Sequence, residues 1–450
     1  MKLGDLYENE SFKTFAKTGD IYCLFYEQGA KMLKPGGHLC FITSNKWMRA
    51  GYGEKLRSFF ANETNPEVLI DFGGIQVFET ATVDTNILLF SRNSNKGTTK
   101  AAIIKKENYN GSFNLSDFVR QNAAEVTFNS SDSWVILSPI ELSIKNKIEK
   151  VGVPLKDWDI NIYRGVLTGY NEAFIISTEK RDEILSKCQT PEERQRTEEL
   201  IRPILRGRDI KRYGYDWAGL WLIATFPAKN YDIEQYPAVK DYLLSFAEPM
   251  LREAGLNWVA DDHLSDYCHQ KLAQTGQYIE IAGQRIRLGS GDEKARKKTS
   301  NKWFETQDSI SYWDDFNKPK LIWGEISDRS KFAYDSNGSY VPEATTFLLV
   351  GEEVLCLYGF LNSSPAEWYF SKLGPRTGEG TIRWKKYTVE MIFAPHLSHS
   401  QNMEIENMLS ASNTTINSYN INSWFYKFYG FTSDEQRYIE DYFNSIVKNK

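Results

Sequence analysis

A chain of 450 residues with 41% apolar and 25% charged side chains has the makeup of a globular protein, long enough for roughly three domains of about 150 residues each. Its net charge of -5 means that a nucleic-acid partner would have to be met by basic residues gathered locally, not by the molecule as a whole. Five scattered cysteines with no CxxC spacing argue against a disulfide framework or a zinc site. The absence of an apolar run near the ~18 residues of a membrane span, or of a signal peptide, leads us to expect a cytoplasmic chain with no membrane partner.

Residues 20–33 place Ile21, Phe25, Ala30 and Leu33 near helical spacing before Lys34-Pro35-Gly36-Gly37 stops the helix. "HLCFIT" then reads as a strand, and a second helix runs through Leu56, Phe59 and Phe60. "EVLIDFG" is a continuous apolar run suited to a strand buried on both faces. "ATVDTNILLFSR" adds a further strand, and residues 91–133 read as a connector with one strand at "AAIIKK". Helix, strand, helix, strand, strand is an α/β sheet entered partway through. From about residue 134 the texture changes. "NIYRGVL", "AFIIS", "GLWLIAT", "KLIWGEI", "SYVPEATTFLLV" and "VLCLYGFL" read as short strands, with helical pieces at 191–202, 235–253 and 401–410, which fits a mixed α+β or mostly β domain. From 401 to 450, Trp424, Phe425, Phe428, Tyr438 and Tyr442 recur at helical intervals, which predicts a helical cap.

Three familiar chemistries are poorly matched. Gly51-Tyr52-Gly53 lacks the third glycine of a dinucleotide fingerprint, with Leu56 in its place. "GSGDEKARKKTS" contains no GK[ST], and the five histidines form no HExxH, so a phosphate loop and a metal site are both disfavoured. Basic residues are more informative. "IRPILRGRDIKRYG" gathers Arg202, Arg206, Arg208, Lys211 and Arg212 around one acid, Asp209, and arginine is suited to phosphate forks and to bidentate reading of guanine. "ARKKTSNKW" (295–303) and "TIRWKKY" (381–387), with Trp384 and Lys385, repeat the pairing of basic and aromatic residues. Solvated charged turns are the ordinary alternative.

Taken together, "TGDIYCLFYEQGAKMLKPGGHLCFITSNKWMRAGYGEKLRSFF" and "VLIDFGGIQVFETATVDTNILLFSR" resemble the later catalytic motifs of gamma-class adenine-N6 DNA methyltransferases, as found in type IIG restriction-modification enzymes. The remainder, through "IYRGVLTGYNEAFII", "LIRPILRGRDIKRYG", "KPKLIWGEI", "FLNSSPAEWYF" and "GPRTGEGTIRWKKYTVEMI", resembles the target recognition domain of Taq-type enzymes, with the segments in the family's order. The resemblance implies a partial Rossmann-like methyltransferase subdomain at 1–133, a mixed α+β target recognition domain at 134–400, and a helical C-terminal region at 401–450. It implies double-stranded DNA as partner, with S-adenosylmethionine as cofactor of the full-length enzyme and none expected on this chain.

The family's glycine-rich cofactor loop and its Asn-Pro-Pro-Tyr tetrapeptide are not in the sequence. The chain is therefore expected to begin just after that tetrapeptide, with the missing N-terminal part of the same polypeptide as a further partner, and to be inactive alone. By resemblance, the aromatic of the family's VFxxxxV pattern falls on Phe78 and packs against the extruded adenine, while Asn45 and Lys46 border the same pocket. A core phenylalanine at a strand end, and helix capping by Asn45, are the plainer readings. For DNA reading the expectation falls on Arg206 and Arg208, with Lys211 and Arg212 on phosphates, Trp384 and Lys385 next, and Arg202 as a further DNA-binding residue. A non-catalytic DNA-binding specificity module is the alternative function.

Overall fold

The computed structural model describes residue 7 and residues 10–79, 83–104, 108–109, 113–245, 278–281, 284–287, 301–302, 304–373, 376–377, 381–410 and 414–448. Compactness divides the chain into two units, each discontinuous in sequence: residues 1–150, 368–382 and 429–450, and residues 151–367 and 383–428.

The first unit is built on a five-stranded sheet of β1 (His38–Ser44), β2 (Asn65–Asp71), β3 (Thr85–Ser91), β4 (Thr99–Ile103) and β5 (Ala124–Val126), in the order β1-β3-β2-β4-β5. β3 runs antiparallel to both β1 and β2, so these two point the same way and finish together, with Ser44 opposite Thr85 and Asp71 opposite Asn86. The helices Tyr22–Met32 and Glu54–Glu63 cover one face, where Tyr26, Trp47, Phe60, Leu69 and Phe90 form the core. Ile70, Phe72, Ile75 and Ile104 face the other way, against Phe118 and Val119 of the helix Leu115–Asn122. Both faces of β2 are thus buried, which accounts for its continuous apolar run. Neither this helix nor β5 was expected in the stretch read as a connector. The helix Ser433–Lys448 returns to this unit, where Glu435 takes Lys147 (2.7 Å) and Ser143 (2.7 Å), and Tyr438 donates to Glu141 (2.8 Å).

The second unit holds two four-stranded sheets. In one, Ile201–Leu205 lies between Val341–Pro342, parallel to it, and Leu220–Ile223, antiparallel, with Ile175–Ser177 beyond. In the other, Lys320–Gly324 and Thr346–Gly351 are central, flanked by Phe332–Asp335 and Ile160–Arg164, all antiparallel. A shared core draws Ile201, Ile204, Leu222 and Ile223 from the first sheet and Leu348 and Val350 from the second. "VLCLYGFL", expected as a strand, is instead the helix Val354–Leu361. Seven of its eight residues are buried, so it is apolar in every direction, and such a run carries no period that separates helix from strand. The helical piece expected at 235–253 is the helix Pro237–Leu244, and residues 246–253 lie outside the described residues, as do 295–300 and 303 of the basic patch "ARKKTSNKW".

No helix of the described residues is long and apolar enough to cross a membrane. Among those residues no cluster of His, Cys, Asp and Glu is placed to hold a metal ion, and His396 stacks on Trp158 at 3.9 Å.

Candidate nucleic-acid interface

The shared end of β1 and β2 collects the first group of expected residues, and the chain reaches it through tightly held loops. After β1, Asn45–Met48 forms a single 3-10 turn whose Trp47 is fully buried against Phe60 (5.2 Å) and Trp134 (5.4 Å). Burying an aromatic of that size anchors the turn by about 2 to 3 kcal/mol. Arg57, itself buried, donates from Nη1 to the carbonyl oxygens of Trp47 (2.5 Å) and Ala50 (2.9 Å) and from Nε to Ser131 (2.8 Å). Burial lowers the pKa of its guanidinium, and the three carbonyl dipoles meet the charge.

Asn45 is therefore fixed at the strand end. Its Nδ2 donates to Asp71 Oδ1 (2.8 Å), and its main-chain N donates to the Asp84 carbonyl (2.9 Å). The same Asp71 oxygen accepts from Gly73 N (2.9 Å), where a φ of +58° suits glycine and turns the chain out of β2. One buried carboxylate thus ties the loop after β1 to the loop after β2. The second loop presents Phe78, which is 39% exposed, with Gln76 Nε2 donating to its carbonyl (3.1 Å). Lys46 is exposed, and its ammonium bonds nothing among the described residues. Asn45, Lys46 and Phe78 accordingly sit on loops leaving one end of one sheet. In a sheet of this kind, the carboxyl ends of parallel strands are where ligands are met.

In the second unit, the basic stretch follows the strand Ile201–Leu205 as a 3-10 turn, Gly207–Asp209, and a hairpin, Ile210–Lys211 with Gly214–Tyr215. Its cations are not equivalent. Arg206 donates from Nε (3.0 Å) and Nη2 (2.8 Å) to Asp209, whose Oδ2 also takes the Arg206 main-chain N (2.9 Å). Burial works to raise the Asp209 pKa, but the Arg206 bonds outweigh it and hold the carboxyl below its ordinary range. Arg212 donates to Glu367 (3.1 Å) and to the Asn362 carbonyl, and Arg202 donates to Asn317 (3.0 Å) and the Gly338 carbonyl (3.2 Å). Lys211 is exposed, with Asp216 at 3.5 Å. Arg208 is exposed and makes no hydrogen bond or ion pair among the described residues. Trp384 is 2% exposed, its N bonded to the Glu325 carbonyl (2.8 Å) and its own carbonyl taking Trp323 Nε1 (2.8 Å). Lys385 beside it is half-buried, 3.6 Å from Glu325.

Sequence reasoning did not single out Asp71, Arg57 or Glu367. Asp71 is the one polar residue closing an apolar strand, a signal that was available. Glu367 is 1% exposed and accepts from Arg212, from Arg329 Nη2 (3.0 Å) and from Ser330 N (3.0 Å), partners too far apart in sequence to announce themselves.

Comparison with known proteins identifies two segments. Residues 2–78 match the Eco57I restriction-modification methylase family, and residues 268–392 match the TaqI-like C-terminal specificity domain. The type II methyltransferase M.XhoI of Xanthomonas vasicola is 21% identical over 404 residues, covering 86% of this chain and 64% of its own length. M.BstVI of Geobacillus stearothermophilus is 19% identical over 433 residues, covering 90% of this chain and 67% of its own. The chain thus spans about two-thirds of these relatives. The type IIL restriction-modification enzyme MmeI, solved in complex with DNA, superposes with a TM-score of 0.52 at 11% identity, over 99% of this chain and 55% of that one, a likeness of fold.

Proposed function

We propose, from the premise that this chain joins an Eco57I-type restriction-modification methylase segment to a TaqI-like specificity domain, that it serves a site-specific adenine-N6 DNA methyltransferase of a type II restriction-modification system. In this reading it is the distal part of a longer cytoplasmic polypeptide. Residues 1–133 are the second half of a Rossmann-like catalytic domain, residues 134–400 read duplex DNA, and residues 401–450 are a helical C-terminal region. The observation that carries the proposal is the pairing of Asn45 with Asp71, which holds the loop bearing Lys46 and the loop bearing Phe78 at one end of the sheet.

An extruded adenine loses a few kcal/mol of pairing and stacking, and a ring such as Phe78 returns about 1 to 3 kcal/mol by stacking. Arg208, Lys211 and Lys385 are the reading and phosphate-binding groups. Arg202, Arg206 and Arg212 shape the turn that presents them, and Trp384 anchors the segment carrying Lys385.

S-adenosylmethionine would supply the methyl group in that reaction. The Gly51–Gly53 turn does not fit as its cradle, because a Cβ at Gly53 would stand 2.0 Å from the Trp47 carbonyl oxygen: that glycine admits the protein's own backbone. Cofactor binding is assigned to the upstream part of the polypeptide, and β1, at the sheet edge, leaves a strand-pairing edge for it.

The test is duplex binding by this chain across a salt series, with labelled-methyl transfer by the chain alone and by a polypeptide extended upstream. Affinity should fall linearly in log salt, and only the extended protein should methylate adenine at N6. Binding indifferent to salt would overturn the DNA reading, and label on cytosine would overturn the adenine assignment.

A further inference from the structure

Inside the second unit lies a cavity of about 270 Å³ that shares Arg202 with the basic stretch and is otherwise lined by residues the proposed function does not use. Three cations line it, Arg196, Arg202 and Lys229, against one carboxylate, Glu199, with Tyr231 and Trp313 among the aromatic walls. Local charge is thus strongly positive in a protein whose net charge is -5. Two of these cations, Arg196 and Lys229, keep bonding capacity unspent. Arg196 donates from Nη2 to the Gln235 carbonyl (3.2 Å), but its Nε is buried and bonds nothing among the described residues. The Lys229 ammonium sits 3.2 Å from the Trp313 ring centroid and has no hydrogen bond or ion pair among the described residues. Arg202 spends its guanidinium on the Asn317 side chain (3.0 Å) and on the Gly338 and Ser339 carbonyls, so it brings charge and no ion pair among the described residues. Burial lowers its pKa and raises that of Tyr231 to about 12.

Three cations set beside aromatic faces against a single carboxylate are costly to hold unless an anion neutralises the excess. At about 270 Å³ the cavity falls just below the range of drug-sized ligand pockets, which run from about 300 Å³ upward, and suits a small ligand. We infer that this cavity binds one nucleotide unit, with its phosphate held between Arg196 and Lys229 and its flat base against the tyrosine and tryptophan walls. The nucleotide could come free from solution or be a residue of bound DNA drawn out of its stack, and both present the same chemistry. The inference goes beyond the methyltransferase reading and survives its failure, because free nucleotide requires no duplex.

The experiment uses the full chain in two arms. Equilibrium dialysis against the four deoxynucleoside 5′-monophosphates should show saturable binding of at least one, displaced by inorganic phosphate. Lys229→Met should weaken it by about tenfold or more, and Arg196→Gln similarly, with unfolding curves unchanged. In the second arm, a duplex carrying 2-aminopurine should brighten on wild-type protein and not on the Lys229→Met variant if DNA is the source. Mononucleotide binding lost in the variants establishes the free ligand, and variant-sensitive brightening alone establishes the DNA nucleotide. Failure of both arms, or binding indifferent to both substitutions, overturns the inference.

Discussion

Truncating Arg206 and Arg208 in separate variants should divide the architecture of the basic turn from its recognition of DNA. Arg206 is spent on Asp209 through Nε and Nη2, and Asp209 is buried. Removing the guanidinium strands a carboxylate, and charged hydrogen bonds of this kind contribute about 1.5 to 3 kcal/mol. Arg206→Ala is therefore expected to lower the unfolding free energy by about 2 kcal/mol. Arg208 is exposed and bonds nothing among the described residues, so Arg208→Ala should change stability by less than about 0.5 kcal/mol. Affinity should behave differently. A bidentate base contact of the kind proposed for Arg208 would discriminate by about 1 to 3 kcal/mol, so Arg208→Ala should weaken binding to a selected duplex by about 5- to 150-fold while leaving non-specific binding nearly unchanged. Urea unfolding and fluorescence anisotropy on duplexes selected from a randomised library measure the two quantities. The reasoning is refuted if Arg208→Ala binds the selected duplex like wild type, or if it unfolds as early as Arg206→Ala.

Glu367→Ala leaves Arg212 and Arg329 without their shared carboxylate and should cost about 3 to 5 kcal/mol, read as a fall in urea midpoint; a loss under 1 kcal/mol would show that the arginines find other partners. The Asp209 pKa lies below the ordinary value of 3.8, so its stabilisation is present above that value and is lost as pH falls through the lower folded one. Acid unfolding below about pH 4 should thus be shallower in Asp209→Asn, and identical slopes would contradict the pairing. Asn45→Ala removes the bond to Asp71 and should cost about 1.5 to 3 kcal/mol, with faster amide exchange in the loops after β1 and β2; unchanged exchange would mean that these loops are held by other contacts.

The first unit's sheet was largely legible because its strands carry their own signals. "HLCFIT" and "EVLIDFG" became β1 and β2, and the helix before them ended at Met32, a little ahead of the expected Lys34–Gly37 stop. What escaped were features set by partners distant in sequence. "VLCLYGFL" is a helix because neighbours surround it, and no local period records that. Trp384 joins an aromatic to basic residues, the pattern of a nucleic-acid contact, yet its indole lies in the interior against Phe332. The arginines near 206 were legible as a cluster. Their division of labour was not, since it depends on Asn317, Asn362 and Glu367, more than a hundred positions away. The return of the helix Ser433–Lys448 to the first unit is of the same kind, resting on Glu141, Ser143 and Lys147.

Photocrosslinking from two positions puts both halves of the account to trial at once. A photoreactive phenylalanine analogue placed at 78 and, separately, at 208 should each become covalently joined to duplex DNA bound by the protein extended upstream, the first to an adenine and the second to a flanking position. Crosslinks from neither site, with DNA attached elsewhere on the chain, would contradict it.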